Sequence, residues 1–526
     1  MGDYNSSPER GAGHLIPDEP HTHHDTYAGF RTDETRNKGT RLRRLFGFGQ
    51  MFFFALGYMS SWEAIAANVG LAFSNGGPRA LTWGFFVVVP GILCQVASLA
   101  ELAAVQPIAG AQYHWTHYLA PARYSRFITW LQGWITWFSW ISLLAGVVNI
   151  TANSIQTVVI ASYPNYAAQS WHVVLIMYAL MIVEAFITTH AFWTMPWIEL
   201  FAGVLHIGLW IIFAAVLLAM APKHSGEWVF FDKTTSSGWG ESVSFNLGMI
   251  LITWGFVGFD ASVHLSEEVR RARHAVPRAM FWSICLNCGM AFGMVLIFLF
   301  CLGSVEDVTS ASYPILAICV NATRSVAGGS ALVGGLLIMN VTASLGSLAS
   351  ASRLTWAWSR DGGLPAYFSR INPRQRVPTR SVWLPVGIVM LLSLLNLAGY
   401  LAFSVIVSLS TFGLYQSYFI AIACMLYARW TNKKHVVLGG GWSLGWWGYP
   451  INVFALVYSA WMSVFLVFPT YLPVTGESMN YALPINAGVW LFAIVSWFVW
   501  AKRSWRGLNV EVIDAVVADA ERASKE

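Results

Sequence analysis

The chain has 526 residues, of which 56% are hydrophobic and only 11% are charged. Ordinary soluble domains carry about 25% charged residues, so this composition excludes a soluble globular protein and indicates a chain built for a lipid bilayer. The net charge of +5 is small, and no basic patch typical of nucleic-acid binding is visible, so we expect no nucleic-acid partner.

Residues 1–45 are polar and rich in His, Asp, Glu, Gly and Pro. They lack the apolar core of a cleavable signal peptide, so we expect the membrane helices to direct insertion, and we interpret 1–45 as a disordered cytoplasmic tail. The six cysteines lie mostly inside apolar runs. Cys285 and Cys288 form a C-x-x-C without further ligands nearby, which favours packing over metal or redox chemistry. The sequence therefore predicts no metal and no cofactor.

Twelve apolar runs follow, each of roughly the 20 residues that a membrane-spanning helix needs. They lie near 47–74, 81–105, 127–160, 171–192, 197–221, 243–262, 279–303, 327–358, 381–402, 404–428, 449–469 and 482–501. We therefore predict an all-α integral membrane protein with 12 transmembrane helices.

Basic residues are distributed unevenly between the loops that connect these runs. Loops rich in Arg and Lys, such as 270–278, alternate with loops that hold few. The positive-inside rule places the basic loops and both termini in the cytoplasm. We expect the plasma membrane, with a vacuolar or other endomembrane as the alternative. Asn321 begins a glycosylation sequon in an outer loop and is the predicted site of modification.

Two of the runs are interrupted, the first at 57–63 and the sixth at 254–262, by residues that disfavour a continuous helix. First and sixth differ by five, the offset expected of a 5+5 repeat inverted in the membrane. Paired broken helices indicate a binding site near the middle of the membrane. The predicted organisation is a tail (1–45), a first five-helix repeat (46–222), a second, inverted repeat (243–430), two extra helices (449–501) and a cytoplasmic tail (502–526).

The first interruption places a carboxylate inside a span. Ser60 and Glu63 have the spacing of a capping box, in which Ser60 would cap a new half-helix and Glu63 would reach back from its first turn. The positive end of that half-helix would then neutralise Glu63. The alternative is that Glu63 faces a cavity, where it balances a cationic substrate or carries a proton.

The second interruption contains Gly255 and Gly258, followed by Asp260. Asp260 either caps the amphipathic helix that follows, near 263–277, or takes part in ion coupling. The carbonyl groups of 255–259 belong to the negative end of the preceding half-helix and would favour an ammonium group.

Aromatic side chains are concentrated at both interruptions, and the third span adds further tryptophans. Aromatic faces around a cavity bind quaternary ammonium by cation–π attraction, worth on the order of 2 kcal/mol when desolvated. The alternative for each is ordinary packing. The candidates are Tyr58, Trp62, Trp254, Phe256, Phe259 and Trp137.

Polar side chains also recur in other spans. Asn340, Ser347 and Ser350 lie toward one face of the eighth span, where they would coordinate an ion or join helices by hydrogen bonds. His206 in the fifth span is a candidate proton carrier, with hydrogen-bonded packing as the alternative. No Ser-His-Asp set, phosphate loop or metal-ligand spacing is present in the sequence, so we expect no enzyme.

Four ordered motifs resemble a known family. They are Gly76-Gly77-Pro78 after the first span; Ser98–Glu101 with Gln106–Trp115 at the second; Phe256–Val269 with Val276–Met280 at the sixth; and Ser352-Arg353 with Ser359–Pro365 at the end of the eighth. Together they are similar to the fungal amino-acid/choline transporter family of the amino acid–polyamine–organocation superfamily, across 45–505.

The resemblance implies an inverted-repeat fold of the kind seen in the bacterial leucine transporter, and uptake of choline, γ-aminobutyrate or amino acids. Amino-acid carriers of this superfamily usually have a glycine-rich first break, whereas this chain has the bulkier stretch 58–62. That difference favours a cation such as choline, or a basic metabolite of a specialised pathway. Because a fungal plasma membrane runs on protons, we expect H⁺ rather than Na⁺ as the coupling ion.

The predicted function is a secondary transporter of a small nitrogenous solute by alternating access. The alternatives are import or export of a basic metabolite, or a non-transporting nutrient sensor on the same fold. Nothing in the sequence indicates an oligomeric state. The predicted substrate-binding residues are Tyr58, Ser60, Ser61, Trp62, Glu63, Trp254, Gly255, Phe256, Gly258, Phe259, Trp137 and Asn340; the ion-coupling candidates are Glu63, His206, Asp260, Ser347 and Ser350.

Overall fold

The computed structural model describes residues 42–163, 165–311, 313–398, 400–431, 441–476, 479–509, 513–514 and 517–518. Most of the two predicted tails, 1–45 and 502–526, lies outside these residues. The unit that begins at Leu42 is compact, and its described residues are helical apart from loops and an isolated β-bridge between Phe46 and Val269.

The helices are numbered in chain order, and short 3₁₀ turns join several of them. They are α1 (Phe48–Met59), α2 (Ser61–Ala67), α3 (Val69–Ser74), α4 (Gly77–Val105), α5 (Gln112–Leu119), α6 (Ser125–Ser162), α7 (Ser170–His190), α8 (Met195–Met220), α9 (Gly226–Phe231), α10 (Glu241–Trp254), α11 (Ala261–His264), α12 (Ala272–Phe300), α13 (Val305–Ser310), α14 (Pro314–Thr323), α15 (Val326–Arg360), α16 (Thr379–Ser393), α17 (Tyr400–Trp430), α18 (Gly448–Phe465), α19 (Ala482–Ser496) and α20 (Lys502–Ser504).

Nine helical stretches in the described part of the chain are long and apolar enough to cross a bilayer. They contain α4, α6, α7, α8, α12, α15, α16, α17 and α19. The first, sixth and eleventh predicted runs correspond to shorter helices: α1 to α3, α10 with α11, and α18. The all-helical membrane class is therefore confirmed, while the count of twelve spans and the 5+5 repeat stay predictions.

The interrupted helices lie inside the bundle. The 38-residue helix α6 packs along α15 and α17, and α4 packs along α12 and α10. Helix α1 contacts α8, α12 and α15, so the first interruption is surrounded by other helices. Large apolar side chains such as Phe186, Phe201 and Phe498 are exposed on the outside, as expected of surfaces that face lipid.

Helices α1 and α8 approach most closely at two glycines. A Cβ on Gly57 would lie 3.1 Å from the nitrogen of Gly203. A Cβ on Gly203 would lie 2.5 Å from Cδ1 and 2.9 Å from the carbonyl oxygen of Phe53. Only glycine fits at this contact. The contact holds the end of α1, where the first interruption begins, against α8.

Buried and half-buried ion pairs lie at one end of the bundle, which we call the arginine-rich end. Arg353 Nε lies 2.8 Å from Glu268 Oε1, Arg360 Nη1 lies 3.1 Å from Glu267 Oε2, and Arg429 pairs with Glu101. These pairs join the ends of α15 and α17 to the chain after α11 and to α4. Removing one partner of a fully buried pair costs about 3–5 kcal/mol, so these contacts hold the segments at this end together.

A second cluster at the same end surrounds Asp361, directly after α15. Tyr113 Oη donates to Asp361 Oδ2 at 2.8 Å, and Trp505 Nε1 donates to the Asp361 carbonyl at 2.7 Å. Burial by itself would raise the pKa of the Asp361 carboxyl, but the neighbouring His114 and Arg360 hold this pKa below its ordinary value. The charged carboxylate therefore fastens α5 to the end of α15.

Candidate substrate site

The first interrupted helix breaks at a single residue. Helix α1 ends at Met59, Ser60 adopts the left-handed conformation (φ 39°, ψ 46°), and α2 begins at Ser61. A residue with a side chain pays roughly 1–2 kcal/mol for this conformation, so surrounding contacts must hold it. Ser60 Oγ donates to the carbonyl of Gly57, and Ser61 Oγ is buried without a hydrogen-bond partner among the described residues.

The second interruption lies directly against the first. Helix α10 ends at Trp254, and turns continue to Asp260, with Gly258 at φ +86°. A Cβ on Gly258 would lie 2.8 Å from Tyr58 Oη, and one on Gly255 would lie 3.0 Å from the side chain of Ile65. The structure therefore brings the two predicted interruptions together, and glycine is required where they touch.

The predicted helix caps are wrong. Ser60 makes no side-chain cap to α2, because its hydroxyl turns back toward Gly57, and Glu63 is bonded to another helix instead of its own first turn. Asp260 likewise makes no cap to α11. Both carboxylates are engaged in contacts between elements that are distant in the sequence.

Asp260 is fully buried and accepts four side-chain hydrogen bonds. Gln112 Nε2 (2.6 Å), Trp140 Nε1 (3.2 Å) and His264 Nε2 (3.2 Å) donate to Oδ2, and Tyr418 Oη (2.6 Å) donates to Oδ1. Both ring nitrogens of His264 face oxygen acceptors, since Nδ1 lies 2.7 Å from the carbonyl of Ala109. Asp260 is therefore held by side chains from four helices, α5, α6, α11 and α17.

Glu63 and His206 form a second buried contact. His206 Nδ1 lies 2.7 Å from Glu63 Oε1, and both side chains are essentially inaccessible to solvent. Glu63 Oε2 and His206 Nε2 have no hydrogen-bond partner within the described residues. Among the described residues, Glu63 Oε2 and His206 Nε2 are therefore available for a further hydrogen bond, whereas both carboxylate oxygens of Asp260 already accept hydrogen bonds.

Polar groups of α15 face the interruptions. Ser350 Oγ donates to the carbonyl of Ala261 at 3.2 Å, and Ser347, whose Oγ donates to Ala343, lies beside the Tyr58 hydroxyl. Glu199 of α8 lies in the same region, because its Oε1 would be 3.4 Å from a Cβ on Gly346. Neither carboxylate oxygen of Glu199 has a hydrogen-bond partner in the part of the chain described.

Four aromatic rings line the junction of the two interruptions. Tyr58 stacks on Trp140 with ring centroids 6.2 Å apart, and Phe259 lies 4.7 Å from Tyr418. Trp140 and Tyr418 also donate to Asp260, so the same residues combine aromatic faces with a negative centre. We call Tyr58, Trp140, Phe259 and Tyr418 the aromatic set.

Several predicted site residues lie outside this set. Trp62 is completely buried against His206 and Phe213 of α8. Trp137 donates to Thr355 and packs beside Trp134, one turn of α6 away from the interruptions. The remaining predicted residues are the buried Phe256 and the half-buried Trp254 and Asn340, of which Asn340 lies two helical turns before Ser347.

The residues of the junction are shielded from solvent. Tyr58, Ser61 and Phe259 are exposed by 6% or less. Access to this position from solvent would therefore require the surrounding side chains to move.

The predicted site did not include four residues of the junction: Gln112, Trp140, Tyr418 and Glu199. Trp140 is one of the tryptophans of the third span and Glu199 is a glutamate inside the fifth, so the sequence offers both as candidates, but periodicity does not indicate which face of each helix meets the interruptions. Gln112 lies in the second-span motif, and Tyr418 carries no local signal.

Comparisons with known proteins identify the family of the chain. The amino acid permease family matches residues 46–493. The chain is 28% identical to an uncharacterised amino-acid permease of Schizosaccharomyces pombe, over 89% of this chain and 88% of that protein.

Two further relatives have more specific names. A choline transporter of Saccharomyces cerevisiae is 26% identical, over 89% of this chain and 83% of the relative. Amino-acid permease 2 of Neurospora crassa is 27% identical, over 88% and 86% of the two chains. The broken helices, the apolar spans and a family match over most of the length lead to one conclusion: the chain belongs to the amino acid permease family, as a multi-pass integral membrane protein.

Proposed function

We propose that the protein is a secondary active transporter that moves a small nitrogenous solute by alternating access. The observation that carries this proposal is the contact between two interrupted helices around Tyr58 and Gly258, deep inside the bundle. Helices broken in mid-membrane leave backbone groups that a solute can use, which is the arrangement expected of a carrier.

The proposed solute carries a positively charged nitrogen, either quaternary or protonated. Choline is the first choice, and γ-aminobutyrate or an amino acid are the alternatives. The aromatic set offers ring faces to such a cation. The carbonyl end of α10 adds a negative partial charge next to it. The name of the Saccharomyces relative supports choline, and that of the Neurospora relative supports amino acids.

The proposed coupling ion is a proton carried by Glu63 and His206. A carboxylate and an imidazole in contact exchange a proton readily, and each has one open position in the described structure. Asp260 is less suited to this role because four donors already occupy its oxygens. Its contacts instead hold α5, α6, α11 and α17 together.

The proposed topology has twelve spans, a 5+5 inverted repeat and both termini in the cytoplasm of a plasma-membrane protein. The arginine-rich end then faces the cytoplasm, in keeping with the positive-inside rule. Asn321, exposed on α14, then lies on the opposite side.

Uptake of radiolabelled solutes tests the proposal. We would express the full chain in cells that lack choline and γ-aminobutyrate uptake, and compare it with the empty host and with the Asp260→Asn variant. Accumulation of one solute, abolished when the proton gradient is collapsed, is the expected result. Efflux from preloaded vesicles without uptake would favour export of a basic metabolite. No flux of any solute by correctly localised protein would overturn transport and favour a sensor.

A further inference from the structure

A cavity lies at the arginine-rich end, away from the interruptions. Its volume is about 420 Å³, within the range of small-molecule sites. Its walls come from four separate parts of the chain: the segment before α1, the connection from α7 to α8, the chain after α11 and the loop before α16. The residues that matter for the argument are Arg43, His190, Trp193, Glu268, Arg374 and Arg376.

The lining of this cavity is strongly basic. Arg43, Arg374 and Arg376 are exposed, and none of them pairs with a carboxylate among the described residues. The lining carboxylate is Glu268, which is already paired with Arg353. Arg353 itself is fully buried, and its Nη2 has no hydrogen-bond partner within the described chain. The cavity therefore holds a net positive charge that no carboxylate of the described residues balances.

We propose that this cavity binds a phosphate monoester on an anionic lipid headgroup. Guanidinium groups match phosphate oxygens in paired hydrogen bonds, and three of them converge here from two segments. Trp193 on the cavity wall and the nearby Trp197 are each 63% exposed. Tryptophan at the surface of a membrane protein marks the headgroup level of the bilayer, so the cavity opens where a lipid headgroup resides.

Occupancy of the cavity would also fasten the arginine-rich end of the bundle. The backbone nitrogens of Leu45 and Phe46 donate to the carbonyl of Glu268 at 2.9 and 3.1 Å, and Arg270 donates to Phe46 at 2.8 Å. A phosphate that bridges Arg43 and Arg374 ties the same segment to the loop before α16. The bound anion thus opposes opening of this end. This regulatory consequence rests on the proposed transport function and orientation, whereas binding does not.

Binding is measured on the detergent-purified full chain by thermal-shift titration, since a ligand of the folded state raises the melting temperature with its concentration. The probes are dioctanoyl phosphatidylinositol 4-phosphate, dioctanoyl phosphatidylcholine, soluble inositol 1,4-bisphosphate and inorganic phosphate. The matched variants are Arg43→Gln with Arg374→Gln in the cavity and Arg123→Gln, an exposed arginine at the same end but outside it.

We expect the phosphatidylinositol phosphate to stabilise the wild type and the Arg123→Gln variant, and phosphatidylcholine to have no effect. An arginine near an anionic headgroup contributes roughly fivefold in affinity, so the double variant should bind about 25-fold more weakly. If soluble inositol 1,4-bisphosphate binds as tightly as the lipid, the phosphate site is supported, and its ligand would be a soluble phosphate ester. Equal affinities of the wild type and the double variant for every probe would overturn the site, whether or not the protein transports a solute.

Discussion

His206 Nδ1 on α8 lies 2.7 Å from Glu63 Oε1 on α2, three residues after the first helix is interrupted at Ser60. The contact is buried, and each partner keeps one atom without a hydrogen bond among the described residues. A buried charge without a partner is very costly, so each of these side chains depends on the other. Under the proposed function, movement of α2 away from α8 would separate the two side chains and would thereby couple proton binding to the movement of a helix.

Glu63→Gln should remove the dependence of uptake on external pH. Glutamine keeps the size of the side chain but cannot gain or lose a proton, so uptake should fall and its pH profile should flatten. Glu227→Gln, on the exposed helix α9, is the matched control and should keep the wild-type profile. Initial rates measured between pH 5 and 8 decide the matter. An unchanged profile in Glu63→Gln would assign the coupling to another group.

Asp260→Asn should damage the structure of the junction more than its affinity for solute. The amide nitrogen of asparagine would face at least one of four donors that now point at a carboxylate. Loss of a buried charged acceptor costs about 3–5 kcal/mol, so we expect a clearly lower melting temperature and little uptake. Tyr418→Phe removes one donor only and should cost about 1.5–3 kcal/mol. Thermal unfolding of both purified variants provides the comparison, and equal melting temperatures would contradict this role of Asp260.

Trp140→Leu should weaken the apparent affinity for a quaternary ammonium solute. Trp140 stacks on Tyr58 in the aromatic set, and a cation–π contact of about 2 kcal/mol corresponds to roughly 30-fold in affinity. Trp137→Leu is the matched control, because it makes the same change one turn away, where the indole bonds Thr355. Concentration dependence of choline uptake should separate the two. A similar rise of KM in both variants would contradict a cation site at Trp140.

The interruptions could be predicted from the sequence because they follow from local preferences. Gly258 and Asp260 disfavour a continuous helix wherever they stand, and the structure breaks the helix there. The partners of the two carboxylates could not be predicted in this way. Glu63 meets a residue 143 positions away, and Tyr418 reaches Asp260 across 158 positions. Such contacts depend on how the helices pack, and no local sequence pattern indicates them.

The two wrong predictions of helix caps have the same physical origin. A capping box would bond Glu63 to its own first turn, without any tertiary contact. The spacing of residues in the sequence can indicate only such local contacts. In the folded bundle Glu63 Oε1 instead lies 2.7 Å from the imidazole of His206, and the left-handed Ser60 directs its hydroxyl toward the carbonyl of Gly57. The sequence predicts Trp137 instead of Trp140 as a site residue for a related reason. Periodicity shows which residues share a face of α6, but not which face meets the junction.

Asn321 should carry an N-linked glycan if the proposed orientation is correct. Its side chain is exposed on α14, which precedes α15 at the end opposite Arg353. Asn321→Gln should abolish the shift in gel mobility that a glycosidase produces in the wild type. The sequon at Asn149, buried in α6, serves as the control, and Asn149→Gln should leave that shift in place. A wild-type chain made in a glycosylating host without any glycan would contradict this assignment.

Gly203→Ala should destabilise the protein by forcing α1 away from α8. The added methyl group would lie 2.8 Å from Cβ and 2.9 Å from the carbonyl oxygen of Phe53, and backbone cannot move as easily as a flexible side chain. Overpacking of this kind costs about 1–3 kcal/mol, so we expect a lower melting temperature and, because the displaced segment leads into Ser60, a lower uptake rate. Gly208→Ala makes the same change five residues later on α8, where no atom lies within 4 Å, and should leave stability unchanged or slightly improved. Equal melting temperatures of the two variants would mean that α1 and α8 do not depend on this close contact, and the packing that positions the first interruption would then have to come from α12 and α15.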